Sequence, residues 1–80
     1  MNVQILLFGI TTDLLGTSSI YFEVPENATV SKLKQELVTL YSQLEHIDSY
    51  AIAVNESYAN DETVLNNGDI IAVIPPVSGG

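Results

Sequence analysis

The clearest helical repeat in this chain lies in its middle. Val30, Leu33, Leu37, Leu40, Tyr41 and Leu44 recur at helical spacing and form one apolar stripe. Thr29 precedes the run with a hydroxyl suited to capping it, so the spacing predicts a helix from Val30 to about Leu44. Lys32, Lys34, Gln35, Glu36, Thr39, Ser42, Gln43 and Glu45 read as its polar side. A single apolar stripe has nothing of its own kind to pack on. It needs a sheet beneath it, and the flanking segments read as strands.

Val3 to Phe8 alternates, with Val3, Ile5 and Leu7 on one face and Gln4, Leu6 and Phe8 on the other. Ser19 to Val24 follows as a second strand, joined to the first as a hairpin with a long loop. That loop has room for one helical turn from Thr11 to Gly16, with Thr11 or Thr12 as its cap and Gly16 as its stop. After the helix, His46 to Ser49 is a break. Tyr50 to Asn55 is a third strand, with Tyr50, Ile52 and Val54 set against alanines, and Glu56 to Ala59 is a short edge strand. Asn60 to Leu65 reads as loop with room for a helical turn. Asn66 to Asp69 is a turn in which Gly68 supplies positive φ. Ile70 to Ile74 is apolar on both faces, as a central strand buried on both sides would be.

One main helix on one face of a mixed sheet of about five strands accounts for this order. The fold class is α+β, a β-grasp or ubiquitin-like domain over residues 1–74, with the first and last strands parallel at the sheet centre. If so, Phe8 and Ile74 lie side by side where the two strands end. Two placements of the helix remain open. Either Phe8, Leu6 and Ile74 are core, or the helix covers Val3, Ile5 and Leu7 and the first set forms an apolar patch on the outside.

Residues 75–80 form a tail, Pro75-Pro76-Val77-Ser78-Gly79-Gly80. Successive prolines end the ladder and favour a stiff, extended exit. At about 3.3 Å per residue the tail reaches roughly 20 Å from the body and ends on a free carboxylate without side chains.

Composition narrows the function. No cysteine is present, so disulfides and thiolate chemistry are excluded, and a lone histidine, His46, makes a transition-metal site or a hydrolytic triad a poor fit. The glycines form no nucleotide-binding loop. The net charge is −8, with Lys32 and Lys34 the only basic side chains, which argues against nucleic acid and favours a basic protein surface as partner. No leader or membrane span is evident, which predicts a cytoplasmic protein with no membrane partner. Charged residues are only 15% of the chain against 46% apolar, which suggests that another protein covers part of the surface.

Taken together, the Leu7-Phe8 strand end, Leu15-Gly16, Thr29, Ala53-Val54-Asn55, Leu65 with Gly68-Asp69, and the Pro-Pro-Val-Ser-Gly-Gly tail resemble the small, sulfur-carrier subunit of molybdopterin synthase (MoaD-type). The resemblance covers nearly the whole chain. It departs at Thr12-Asp13, where many members carry Arg-Glu. The resemblance implies a carrier rather than an enzyme acting alone. An activating adenylyltransferase spends ATP on the Gly80 carboxylate, Gly80 becomes a thiocarboxylate, and Gly79 and Gly80 enter the large synthase subunit to deliver sulfur to cyclic pyranopterin monophosphate. It implies no cofactor bound by this chain. It also implies a heterotetramer of two small and two large chains, and places Tyr58 at the interface, where it joins Phe8 and Ile74 from the strand ends and Pro75, Pro76, Val77 and Ser78 of the tail. Three other readings stay open: a thiamin-type (ThiS-like) sulfur carrier, a ubiquitin-like protein modifier, and an interaction module with an inert tail.

Overall fold

The computed structural model describes residues 1–76 of the chain. Strand β1 is Asn2–Leu7, helix α1 is Ile10–Leu15, β2 is Ser19–Glu23, α2 is Val30–Leu40, β3 is Ala51–Val54, β4 is Ser57–Ala59 and β5 is Ile70–Ile74. The strands make one five-stranded sheet in the order β2-β1-β5-β3-β4. The first and last strands are parallel neighbours, with Leu6 beside Ala72 and Leu7 beside Val73. The β1–β2, β3–β4 and β3–β5 pairs are antiparallel. The expected β-grasp topology is present, with β4 at one edge.

Helix α2 covers one face only. Its Leu33 and Leu37 are fully buried together with Val3, Ile5 and Leu7 of β1 and Ile71 and Val73 of β5. Thr29 caps the helix as its hydroxyl predicts, accepting from the Lys32 N–H at 3.2 Å. Two further N–H groups of the first turn, on Val30 and Ser31, donate to the carbonyls of Thr63 and Asp61 at 3.0 Å. The segment 60–65 is therefore lashed across the start of the helix.

Two residues depart from the expected stripe. Lys34, expected on the polar side, is buried, with its Nζ 2.7 Å from Asp61 Oδ1. Leu40, expected in the stripe, is 64% exposed. At about 100° per residue, the buried arc runs from Leu33 through Leu37 and Val30 to Lys34, which leaves Leu40 at its margin, beside the β2 edge with Tyr21 and Tyr41. The helix also stops earlier than expected. Tyr41 leaves helical geometry at φ −124, ψ 85, and a 3-10 turn at Ser42–Leu44 follows. A helix continued to Leu44 would be about 22 Å long, whereas a five-residue strand spans only about 17 Å. The break folds Leu44, and then Ile47, back into the core.

Strand β5 is central, but it is not buried on both sides. Ile71 and Val73 are fully buried, whereas Ile70 is 42% exposed and Ala72 and Ile74 are half-buried. One helix covers one face, and the other face of the sheet is bare. The 60–65 segment forms no helical turn. In the first loop the N-cap of α1 is Gly9, with no side-chain cap bond, rather than Thr11 or Thr12; Gly16 closes the helix in the left-handed region as expected.

Candidate functional site

The bare face follows from strand phase. Residues paired across neighbouring strands share a face. Leu6 lies beside Ala72, Ala72 beside Ala53, and Ala53 beside Tyr58, so these four form one row across the sheet on the side away from α2. The row above it contains Gln4 beside Ile70, and Tyr21 beside Gln4. The row below contains Ile74 beside Ala51, with Phe8 following the last paired residue of β1. Phe8 is 47% exposed and Tyr58 is 79% exposed. The open placement of Phe8, Leu6 and Ile74 is therefore the observed one.

Leu6, Phe8, Ile70 and Ala72, with Asn55 and Glu56, line a groove of about 480 Å³ on this face. Tyr58 and Ile74 share the face without lining the groove. Ile70, Asn55 and Glu56 were not among the sequence-predicted site residues. Ile70 could have been found from the two-residue alternation that links it to Ala72 and Ile74. The two turn residues carry no such signal.

Phe8 is held by the loop that follows it. The Thr11 side chain is fully buried; its Oγ1 donates to the Phe8 carbonyl at 2.6 Å and accepts from the Phe8 N–H at 3.1 Å. Thr12 Oγ1 donates to the Leu7 carbonyl at 3.0 Å. These hydroxyls pin the end of β1 rather than cap a helix.

The root of the tail rests on the same loop. Gly9 has φ 56 and ψ −135, a region open essentially to glycine alone. A Cβ at this position would stand 3.2 Å from Cγ of Pro75. Pro75 is half-buried and Pro76 exposed, so the chain leaves the sheet beside Phe8. Val77, Ser78, Gly79 and Gly80 lie outside the described residues.

The polar support for the groove lies at the opposite end of β5. Asp69 is buried; its carboxylate accepts from Asn55 Nδ2 at 2.9 Å and from the Asn66 N–H at 2.7 Å. Asn55 Oδ1 accepts from the Ile70 N–H at 3.0 Å. Asn55 and Glu56 both have positive φ, at 50 and 72, in the two-residue turn between β3 and β4. Among the described residues no helix is long and apolar enough to cross a membrane, and no group of three or more metal-ligating side chains is gathered.

The sequence matches the ThiS family over residues 5–80. It is 33% identical to the molybdopterin synthase sulfur carrier subunit of Arabidopsis thaliana, over all of this chain and 84% of that protein. Its structure is similar to that of SAMP1 from Haloferax volcanii, with a TM-score of 0.90, 26% identity and full coverage of both chains. It is also similar to a chain in the complex of subunits 1 and 2 of the molybdopterin-converting factor from Helicobacter pylori, with a TM-score of 0.70, 27% identity and full coverage of both chains. The chain belongs to the ThiS family, and within it to the family of molybdopterin synthase sulfur carrier subunits.

Proposed function

We propose that this chain carries sulfur for molybdenum cofactor synthesis and docks on the large subunit of molybdopterin synthase through its open sheet face. The observation that carries the reading is the continuity of that face with the root of the tail. Phe8, Ile74 and Pro75 stand together, so a protein that covers the groove also receives the tail. The end-to-end similarity to a sulfur carrier subunit supports it, as does the Helicobacter pylori complex of subunits 1 and 2.

The chemistry suits a terminal glycine. A carboxylate is a poor electrophile. A carboxylate oxygen of Gly80 attacks the α-phosphorus of ATP on an adenylyltransferase, pyrophosphate leaves, and an acyl-adenylate forms. Hydrosulfide released by a donor then attacks the acyl carbon, and AMP leaves with the bonding pair. The product is a Gly80 thiocarboxylate. Gly79 and Gly80 offer no Cβ to obstruct a narrow channel. Ser78, Val77 and Pro76 span the distance from the sheet to the large subunit's active site. There the thiocarboxylate sulfur attacks a side-chain carbon of cyclic pyranopterin monophosphate and displaces an oxygen substituent, which gives a thioester between carrier and pterin. Water then cleaves the acyl–sulfur bond, returning the Gly80 carboxylate and leaving the sulfur on the pterin, and a second carrier repeats the step for the second sulfur of the dithiolene. The chain binds no cofactor of its own, acts in the cytoplasm, and assembles as two small and two large chains.

The experiment is an intact-mass measurement after incubation with ATP, the activating enzyme and a sulfur donor. Replacement of one oxygen by sulfur at the C-terminus, followed by its loss on addition of large subunit and pterin substrate, is the expected result. An unchanged mass refutes the carrier reading. A modifier is the second reading, favoured by the likeness to SAMP1; it predicts conjugates of this chain on target lysines. A thiamin-type carrier predicts sulfur discharge to a thiazole synthase instead.

A further inference from the structure

The groove on the open face has an apolar floor and one unused charge. Leu6, Phe8, Ile70 and Ala72 supply the apolar lining, and the polar liners are Asn55 and Glu56. Asn55 is occupied within the chain, by Asp69 and by the Ile70 N–H. Glu56 is exposed, and among the described residues its carboxylate is in none of the ion pairs, which fall to Glu36, Asp48, Asp61 and Glu45.

Glu56 also stands where local preference is against it. Val54 pairs with Ser57, so Asn55-Glu56 is a two-residue hairpin turn with positive φ at both positions. Such turns favour Asn followed by Gly. Asn55 obeys the rule. Glu56, at φ 72, breaks it. A side chain kept in the left-handed region beside an interface invites a functional explanation, and the free carboxylate on the rim of an apolar groove supplies one. Among the described residues the cations are engaged elsewhere: Lys32 and Lys34 are on α2, which covers the other face of the sheet, His46 lies beside Glu45, and the N-terminal amine donates to the Val24 carbonyl.

We propose that Glu56 is the specificity-determining charge of the open face. Its carboxylate receives a Lys or Arg side chain of the docked protein, while a neighbouring apolar side chain of that protein fills the groove between Phe8 and Ile70. The partner is thus an apolar knob flanked by a cation. This deepens, and rests on, the reading of the face as the large-subunit interface. A rim charge of this kind governs association rate, salt dependence and the rejection of acidic surfaces more than the total affinity.

The test uses the full chain and the purified large subunit of molybdopterin synthase from the same organism. Binding is measured at low and high ionic strength for the wild type, Glu56→Gln, Glu56→Asp, Glu56→Gly and Phe8→Ala, alongside thermal unfolding of each. Glu56→Gln is expected to bind about fivefold more weakly at low salt, the difference fading at high salt as the charge is screened. Glu56→Asp should bind nearly as the wild type does. Glu56→Gly should bind as weakly as Glu56→Gln while melting higher, an outcome that a purely structural role for Glu56 does not produce. If Glu56→Gln binds like the wild type at low salt while Phe8→Ala has lost binding, the role of Glu56 is refuted and the interface stands. If the wild type does not bind at all, the reading of the face is refuted with it.

Discussion

Phe8→Ala separates an interface residue from a core residue, and the structure supplies the magnitude. Phe8 keeps 47% of its surface exposed. Taking roughly 200 Å² for a phenylalanine, a docked partner removes about 90 Å² from water. At roughly 25 cal/mol per Å², that is ~2.3 kcal/mol, or about fiftyfold in affinity. The effect on folding is smaller. Phe8 stands outside the buried cluster, and its hydrogen bonds to Thr11 come from its backbone and survive the substitution. The cost to the isolated chain should stay below ~2 kcal/mol, against the ~3–5 kcal/mol of a fully buried phenylalanine. Leu7→Ala is the control. Leu7 is the preceding residue, is 3% exposed and faces α2. Its loss should cost ~2–5 kcal/mol and threaten the fold of so small a domain. Calorimetric titration against the large subunit and thermal unfolding of the free chain read the two effects separately. A collapsed melting transition for Phe8→Ala, or affinity within twofold of the wild type, refutes the reasoning.

Gly9→Ala forces a side chain into φ 56 and sets its Cβ against Pro75. Sulfur transfer should fall more than stability does, because the displaced proline is the root of the tail; steady-state turnover and melting temperature compared in parallel check this. Asp69→Ala removes the acceptor for Asn55 Nδ2 and the Asn66 N–H. With water replacing part of the loss, ~2 kcal/mol of stability should go, a fall of roughly 8–16 °C in melting temperature. Asp61→Ala strands the Lys34 amine, whose side chain is 10% exposed, with only Asp48 at 3.9 Å. Because the lost carboxylate is itself 60% exposed, the expected cost is ~1–2 kcal/mol. Lys34→Met, which removes the buried charge altogether, should cost less; urea titration of both variants orders them.

What was legible in the sequence was local or periodic. The Thr29 hydroxyl caps the residues that follow it, and the alternation of β1 assigned Val3, Ile5 and Leu7 to one face and Leu6 and Phe8 to the other. Which of those faces is covered depends on where α2 lies, and no local signal states that. The same limit misplaced Lys34 and Leu40. The 60–65 segment crosses the first turn of α2 and its Asp61 takes the Lys34 amine, whereas Leu40 falls at the margin of the buried arc. Thr11 and Thr12 were read as helix caps because that is the commonest task of a hydroxyl before a helix. Their actual partners are the carbonyls that end β1. Strand β5 predicts burial on both faces because Ile70, Ala72 and Ile74 on the open face are as apolar as Ile71 and Val73 in the core.

That ambiguity in β5 raises a physical difficulty that the structure resolves. A strand normally keeps its register because a one-residue slip would turn its apolar side chains to water. In β5 a slip would merely exchange Ile71 and Val73 for Ile70, Ala72 and Ile74, so hydrophobicity alone pins it weakly. The polar bracket at its start supplies the missing constraint. Asn55 both donates to the Ile70 carbonyl at 2.8 Å and accepts from the Ile70 N–H at 3.0 Å, which fixes one residue of β5 against the β3–β4 turn. Asp69 ties that turn to Asn66, and the Gly68 N–H donates to the Asn2 carbonyl at 2.7 Å, which fixes the same end against β1. With the strand clamped there, Ile70, Ala72 and Ile74 must face outward, and Ile74 must reach the end of the sheet beside Phe8. The open face is therefore set by polar groups at the end of β5 far from the tail, and the apolar residues that form it do not by themselves choose the side they face.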